Sequence, residues 1–302
     1  MSFSSEMKES LSKMSNLNNK ELVKYELIGY LISNNTTLSK SKVSYSTINE
    51  YNINRFSKLI SNINILDFKI ELKGKNFKIT FPKIDTIEEI KYEGEDIELS
   101  SNFENSLKNI EIIKPQEELA IKALIRGIFL GSGSLNNPEN KYHLEIILST
   151  ERNAKIILNL LQKLDINMKE LPRKNGHSLY LKDGEEISNF LALIGANSAM
   201  LKFEEIRVLR DVKNNVNRKV NCETANLNKT VAAAVKQIEV IKKLQKQGKF
   251  DKLPENLKEI ATLRLEHPDA TLLELGQMLK EPIGKSGVNH RLKQIVSLGT
   301  ES

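Results

Sequence analysis

Two runs of period-two alternation, separated by a glycine, mark the first third of the chain. Phe68, Ile70 and Leu72 alternate with polar residues, Gly74 interrupts, and Phe77, Ile79 and Phe81 alternate again before Pro82. Alternation on both sides of a turn residue predicts an antiparallel hairpin with one buried face. Ahead of it, helical spacing predicts a short helix ending near Met14 and capped by Ser4 or Ser5. Further helices are expected over residues 21–33 and 48–63, with a weak hairpin at 36–47 between them. Residues 84–103 are acidic and irregular and are expected to hold at least one more helix.

The pattern then recurs. A helix is predicted over 117–130, a turn at Asn136-Asn137-Pro138, and a strand over 142–149 with Leu144, Ile146 and Leu148 on one face. A helix over 151–164 follows, with Ile156, Leu160 and Leu164 on one stripe. Strands at 166–172 and 178–182 flank Asn175-Gly176, and helices follow at 185–194 and 199–212. Both halves thus read helix, two strands, helix, two strands, helix. Gly29 and Gly127 hold matching places in the two long helices, 98 residues apart, which predicts a pseudo-two-fold domain. From about residue 214 the spacing is helical throughout: 224–247 with Gly248 as its stop, then 255–266, 272–279 and 286–297. The fold class is therefore α+β, a mixed α/β N-terminal domain followed by an all-α domain. The expected spans are 1–104 and 105–214 for the two halves and 215–302 for the helical domain.

Charge sharpens this division. The net charge of the 302 residues is +6, and residues 215–302 hold 15 Lys+Arg against 10 Asp+Glu, leaving 30 against 29 in the first 214. A basic C-terminal third suits a module that binds a polyanion, although a solvated lysine-rich surface has the same composition. Trp is absent and aromatics are 6%, too few for a single-strand stacking platform. One cysteine, Cys222, excludes an internal disulfide. It is expected to be a small buried residue rather than a redox switch. Four scattered histidines make no zinc site, so no metal and no cofactor are expected. The first residues lack an apolar signal core and no run approaches a membrane span, so a cytoplasmic location away from the membrane is expected.

The candidate chemistry lies near the C-terminus. Thr271-Leu-Leu-Glu274 is a capping box ahead of Leu272, Leu275 and Leu279. Pro282 and Gly284 make a turn, and a new helix is expected with Ser286 as its cap. Val288, Leu292, Ile295 and Val296 form its buried stripe. Asn289, His290, Arg291, Lys293 and Gln294 fall outside the stripe, and no acid occurs from Pro282 to Thr300. A short helix bracing a second, polar-faced helix suits a helix-turn-helix in the major groove of double-stranded DNA. There Asn or Gln reads adenine and Arg reads guanine. Lys285, Ser286, Asn289, His290, Arg291, Lys293 and Gln294 are the candidate DNA contacts, with Asn289 and Arg291 on bases and Lys285 and Lys293 on phosphates. The connection exceeds the usual three or four residues, so an ordinary amphipathic helix pair fits the pattern as well.

The strings at Leu263–Gly276 (Leu-Arg-Leu-Glu-His-Pro-Asp-Ala-Thr-Leu-Leu-Glu-Leu-Gly), at Pro282–Leu292 (Pro-Ile-Gly-Lys-Ser-Gly-Val-Asn-His-Arg-Leu) and at Asn217–Val231 closely resemble the WhiA family. Ser-Phe-Ser-Ser-Glu at the start and Tyr-His-Leu-Glu-Ile at Tyr142–Ile146 are similar to it as well. The resemblance implies a cytoplasmic, nucleoid-associated DNA-binding transcription regulator. Its role would lie in sporulation, or in cell division and chromosome segregation. It also implies an N-terminal domain of the LAGLIDADG homing-endonuclease fold. Three roles are open to that domain: added DNA contacts through its sheet, contact with another transcription or cell-division protein, or dimerisation. In such endonucleases each of two helices ends in an acid that holds a divalent metal. The corresponding strings here are Leu27-Ile-Gly-Tyr-Leu-Ile-Ser-Asn-Asn35 and Ile125-Arg-Gly-Ile-Phe-Leu-Gly-Ser-Gly133. The glycines are kept, but Asn34 and Ser132 stand where the acids belong, so the chain is expected not to be an enzyme. An active nuclease would need the missing carboxylate pair. An adaptor that never binds DNA would show no salt-dependent shift of a labelled duplex.

Overall fold

Two glycines set the centre of the N-terminal part. The structure, a computed structural model, describes residues 2–108 and 114–300. Positions 1, 109–113 and 301–302, which include the outer limits of the expected spans 1–104 and 215–302, lie outside the described residues. The chain divides into two compact units, Met1–Asp211 and Val212–Ser302.

In the first unit, α1 (Phe3–Ser12) is capped by Ser2, whose side chain accepts from the Ser5 N–H, rather than by Ser4 or Ser5. Then come α2 (Lys20–Leu31), β1 (Thr36–Leu38), β2 (Lys42–Thr47), α3 (Glu50–Asn62), β3 (Lys69–Lys73) and β4 (Asn76–Pro82). A small hairpin of β5 (Ile90–Glu93) and β6 (Asp96–Leu99) and the helix α4 (Ser101–Lys108) close this half. The second half repeats the first: α5 (Pro115–Ser132), β7 (Ser134–Leu135), β8 (Leu144–Leu148), α6 (Glu151–Gln162), β9 (Lys169–Arg173), β10 (Gly176–Leu181) and α7 (Gly184–Leu193). Their four-stranded sheets have the same order, β1-β2-β4-β3 and β7-β8-β10-β9, and every pairing is antiparallel. The repeat reaches single dihedrals. Asn64 after α3 and Asp165 after α6 both take positive φ, 66° and 57°. In each case the next N–H donates back to a helix carbonyl, Ile65 to Ile60 and Ile166 to Leu161, as a left-handed helix end requires.

The halves join through α2 and α5. A Cβ on Gly127 would lie 2.0 Å from the Glu26 carbonyl oxygen, and one on Gly29 would lie 2.2 Å from the Leu124 oxygen. The two backbones therefore touch, which only glycine permits. Beside this contact Glu26 is fully buried. Arg55 Nε and Nη2 donate to its two carboxylate oxygens at 2.8 and 3.0 Å, and Arg126 Nε on α5 donates at 3.1 Å. Asn16 Nδ2 donates at 3.1 Å, and Arg55 Nη1 donates to the Met14 carbonyl at 2.7 Å. Burial pushes the Glu26 carboxyl up. The Arg55 hydrogen bond and the charges of Arg126 and Arg55 outweigh it and hold the group below its ordinary 4.5.

Some local expectations are corrected. The hairpin at Gly74 forms in the expected register, Leu72 opposite Phe77 and Ile70 opposite Ile79. Only β4 buries its apolar face, however; Ile70 is 43% and Leu72 60% exposed. β3 is the edge strand, and α3 packs on β2 and β4. Residues 84–100, read as irregular, contain the β5–β6 hairpin around Gly94 at φ +58°. The helices expected at 199–212 and 224–247 are one helix, α8 (Asn197–Lys246), because the Asn-rich stretch between them holds no glycine or proline to stop it. Cys222 lies on this helix and is exposed, not buried.

The second unit closes with a 3₁₀ turn (Phe250–Lys252), α9 (Glu255–Glu266), α10 (Leu272–Met278) and α11 (Lys285–Thr300). Its core joins Ile241 and Leu244 of α8 to Leu257, Ile260 and Ala261 of α9, Leu275, and Val288, Leu292 and Ile295 of α11. Among the described residues no helix is long and apolar enough to cross a membrane.

Candidate nucleic-acid interface

Thr271 caps α10 as the spacing predicts: its hydroxyl accepts from the Glu274 N–H at 3.3 Å, and the Glu274 carboxylate accepts from the Thr271 N–H at 2.7 Å. The Thr271 N–H, with its hydroxyl, also holds the Glu274 carboxyl below the usual range. Arg264 braces the preceding loop, donating through Nη1 to the carbonyls of Ala270 at 2.7 Å and Pro268 at 3.2 Å. Gly276 lets α10 meet the incoming turn, since a Cβ there would lie 2.2 Å from the Ile283 oxygen. The Ile283 N–H donates to the Gly276 carbonyl at 3.1 Å. These contacts fix the angle at which α11 leaves.

α11 starts one residue earlier than the sequence suggests. Val288 N–H donates to the Gly284 carbonyl, so Ser286 lies in the first turn and is not the cap. Val288, Leu292 and Ile295 are buried and set the inner face. Lys285, Ser286, His290, Lys293 and Gln294 are exposed, whereas Asn289 and Arg291 are half-buried. Residues two apart on a helix diverge by roughly 200°. Asn289 and Arg291 therefore lie on opposite flanks, and Ser286, His290, Lys293 and Gln294 share the outer face between them. On that face Gln294 Nε2 and His290 Nε2 are 3.1 Å apart and hydrogen-bonded.

The outer face borders a broad groove of about 1110 Å³. His290, Lys293 and Gln294 form one wall, and Lys249, Lys252 and Asn256 stand in the other. No acid lines it. Lys249, Lys252 and Asn256 are absent from the residues expected at the site. Nothing in their spacing ties them to α11, because tertiary packing of α8 and α9 with α11 brings the walls together.

At the α2 and α5 ends, Asn34 donates through Nδ2 to the Asn175 carbonyl at 3.4 Å, and its N–H donates to the Ile147 carbonyl at 3.2 Å. The Ser132 hydroxyl donates to the same Ile147 oxygen at 2.6 Å and accepts from the Ile147 N–H at 3.2 Å. Both side chains are thus committed to the backbone. The cleft beside Ser132 is lined by Lys8 and by no carboxylate. Among the described residues no group of three or more His, Cys, Asp or Glu could hold a metal ion. This donor set does not fit a divalent cation, which takes carboxylate oxygens.

Comparison with known proteins agrees with this architecture. Residues 121–213 match the WhiA LAGLIDADG-like domain, and residues 216–298 match the WhiA C-terminal HTH domain. The chain is 52% identical over 180 residues to a protein of Clostridium beijerinckii named "Probable cell division protein WhiA", and 51% identical over 180 residues to one of that name from Clostridium acetobutylicum. The aligned part is 60% of this chain and spans only 57% of the length of these relatives. The crystal structure of full-length WhiA from Thermotoga maritima is 27% identical, with a TM-score of 0.57, over 100% of this chain and 99% of that one.

Proposed function

This chain belongs to the WhiA family, and from that membership we propose that it is a sequence-specific DNA-binding transcription regulator without enzymatic activity. It acts on double-stranded DNA in the nucleoid of the cytoplasm, in cell division and chromosome segregation or in sporulation. Residues 215–302 form the DNA-binding module, and 1–104 and 105–214 are the two halves of the N-terminal domain. The carrying observation is the acid-free outer face of α11, with Lys249 and Lys252 across the groove. The exposed apolar residues Ile70 and Leu72 on one edge strand and Leu171 on the other favour a protein partner on the N-terminal unit, of the transcription or cell-division class.

Base reading and phosphate binding separate by mutation. Ala at His290 or Gln294 should cost about 1–3 kcal/mol on the specific site and little on random duplex. Asn289 and Arg291 are base readers reaching from the two flanks, so both should show the same selective loss. Ala at Lys249, Lys252, Lys285 or Lys293 should weaken both duplexes alike and reduce the salt slope by about one each. Fluorescence anisotropy over a salt series reads these values. Equal losses on both duplexes for Gln294→Ala and Lys293→Ala would remove α11 from the groove.

Supercoiled plasmid incubated with the protein and Mg²⁺ or Mn²⁺ should stay uncut, and Asn34→Asp with Ser132→Asp should not restore cleavage. Ser132 spends its hydroxyl on Ile147, and Lys8 lines the same cleft. Saturable nicking that disappears with a chelator would return the chain to the nucleases.

A further inference from the structure

The helix α1 stands outside the repeat of the N-terminal unit. α1 precedes both copies, and its Met7 and Leu11 are buried in the core. Its Leu135-side anchor is Ser4, whose hydroxyl accepts from the Leu135 N–H at 3.3 Å, and Ser5 Oγ lies 2.8 Å from Tyr51 Oη. This anchoring carries Lys8 into the unit, where it is 9% exposed. Its ammonium has a carbonyl, Leu130 O, at 3.4 Å, and the ring of Phe129 with its centroid at 5.5 Å. Among the described residues no carboxylate pairs with it. Burial brings the amine down to about 8, so it still carries charge at neutral pH.

A charged amine with three N–H groups and one long contact is a costly thing to bury. The cleft it lines, about 330 Å³, is of the size that takes a small molecule. The other walls add hydroxyl and amide groups from Ser46, Thr47, Asn49 and Asn76 and the glycine backbone at Gly131 and Gly133. The Asn49 side chain makes no cap bond to α3, although it stands at the cap position. The lining offers one cation, several neutral polar groups and no competing acid.

We propose that this cleft binds a phosphate-type anion, with Lys8 as its counter-ion and Asn49 among its hydrogen-bonding groups. The proposal is independent of the DNA reading of α11. Phosphate can come from a free phosphate ester or from a duplex backbone, and the two are separable.

Thermal unfolding of the full chain in inorganic phosphate, against chloride at equal ionic strength, tests it. Phosphate at about ten times Kd should raise the midpoint by roughly 3–5 °C over chloride. Lys8→Met keeps the apolar stem without the charge and should abolish that gain. Asn49→Ala, which loses no cap bond, should weaken it and serves if Lys8→Met fails to fold. Both variants keeping the full gain, or wild type showing none, would overturn the proposal. Saturating random duplex then assigns the source: a gain that persists beside duplex marks a free phosphate ester, and one that vanishes marks a backbone phosphate.

Discussion

Replacing Gly127 with alanine is expected to destabilise the N-terminal unit by about 3 kcal/mol or more, against the direction that helix propensity dictates. In a solvent-exposed helix the change would gain roughly 1 kcal/mol. Here the new methyl would sit 2.0 Å from the Glu26 carbonyl oxygen and 2.9 Å from its carbon. Both are backbone atoms of a packed helix and cannot swing away, so α2 and α5 must separate along the contact that joins the halves. Gly29→Ala meets the Leu124 oxygen at 2.2 Å and should behave alike. Gly284 is the control: nothing lies within 4 Å of its Cβ position, so Gly284→Ala should be neutral. Denaturant midpoints for the three variants decide the matter. A stabilised Gly127→Ala would mean that the helices do not touch.

Glu26→Gln carries the second large effect. It leaves Arg55 and Arg126 buried with their shared acceptor neutral, a loss of about 3–5 kcal/mol for a broken buried pair. The same carboxylate gives the unit an acid limb. Its folded value lies below the unfolded value near 4.5. Its contribution is therefore complete above the unfolded value and is lost as the pH falls through the folded one. Stability of the wild type should decline in that acidic window, and the decline should be shallower in Glu26→Gln. Equal slopes for the two proteins would remove Glu26 from the linkage.

What the sequence shows and hides follows from the range of each interaction. The repeat was legible because the hairpins at Gly74 and Asn175-Gly176 and the glycines of α2 and α5 are local or periodic signals. The capping box at Thr271 was legible for the same reason, its two partners being three residues apart. The exposure of Leu72 was hidden, since alternation gives a face but not the neighbour that covers it, and α3 stops short of the edge strand. The β5–β6 hairpin was obscured by the acidic residues that fill its outward positions. At the candidate interface the α11 residues were readable from helical spacing. The divergence of Asn289 from Arg291 was contained in the same spacing, since residues two apart on a helix do not share a face. Lys249 and Lys252 required the tertiary contact of α8 and α9 with α11, and the buried charge of Lys8 required α1 to be placed.

The ion cluster at the helix pair also decides which copy each half accepts. Gly29 and Gly127 occupy matching places, so by shape alone either half could pair with another molecule's identical half, driven by mass action at high concentration. Charge breaks the equivalence. The position matching Glu26 is Leu124, and the position matching Arg126 is Ile28. Pairing α5 with its own copy would bring two Arg126 guanidiniums together with no acid between them, and pairing α2 with itself would leave each Glu26 with Arg55 but without Arg126. The unpaired Arg126 guanidiniums would be desolvated as well as mutually repulsive, whereas α2 with α5 gives Arg126 its acid. A chain severed between the halves should therefore reassemble as the mixed pair rather than as two like pairs.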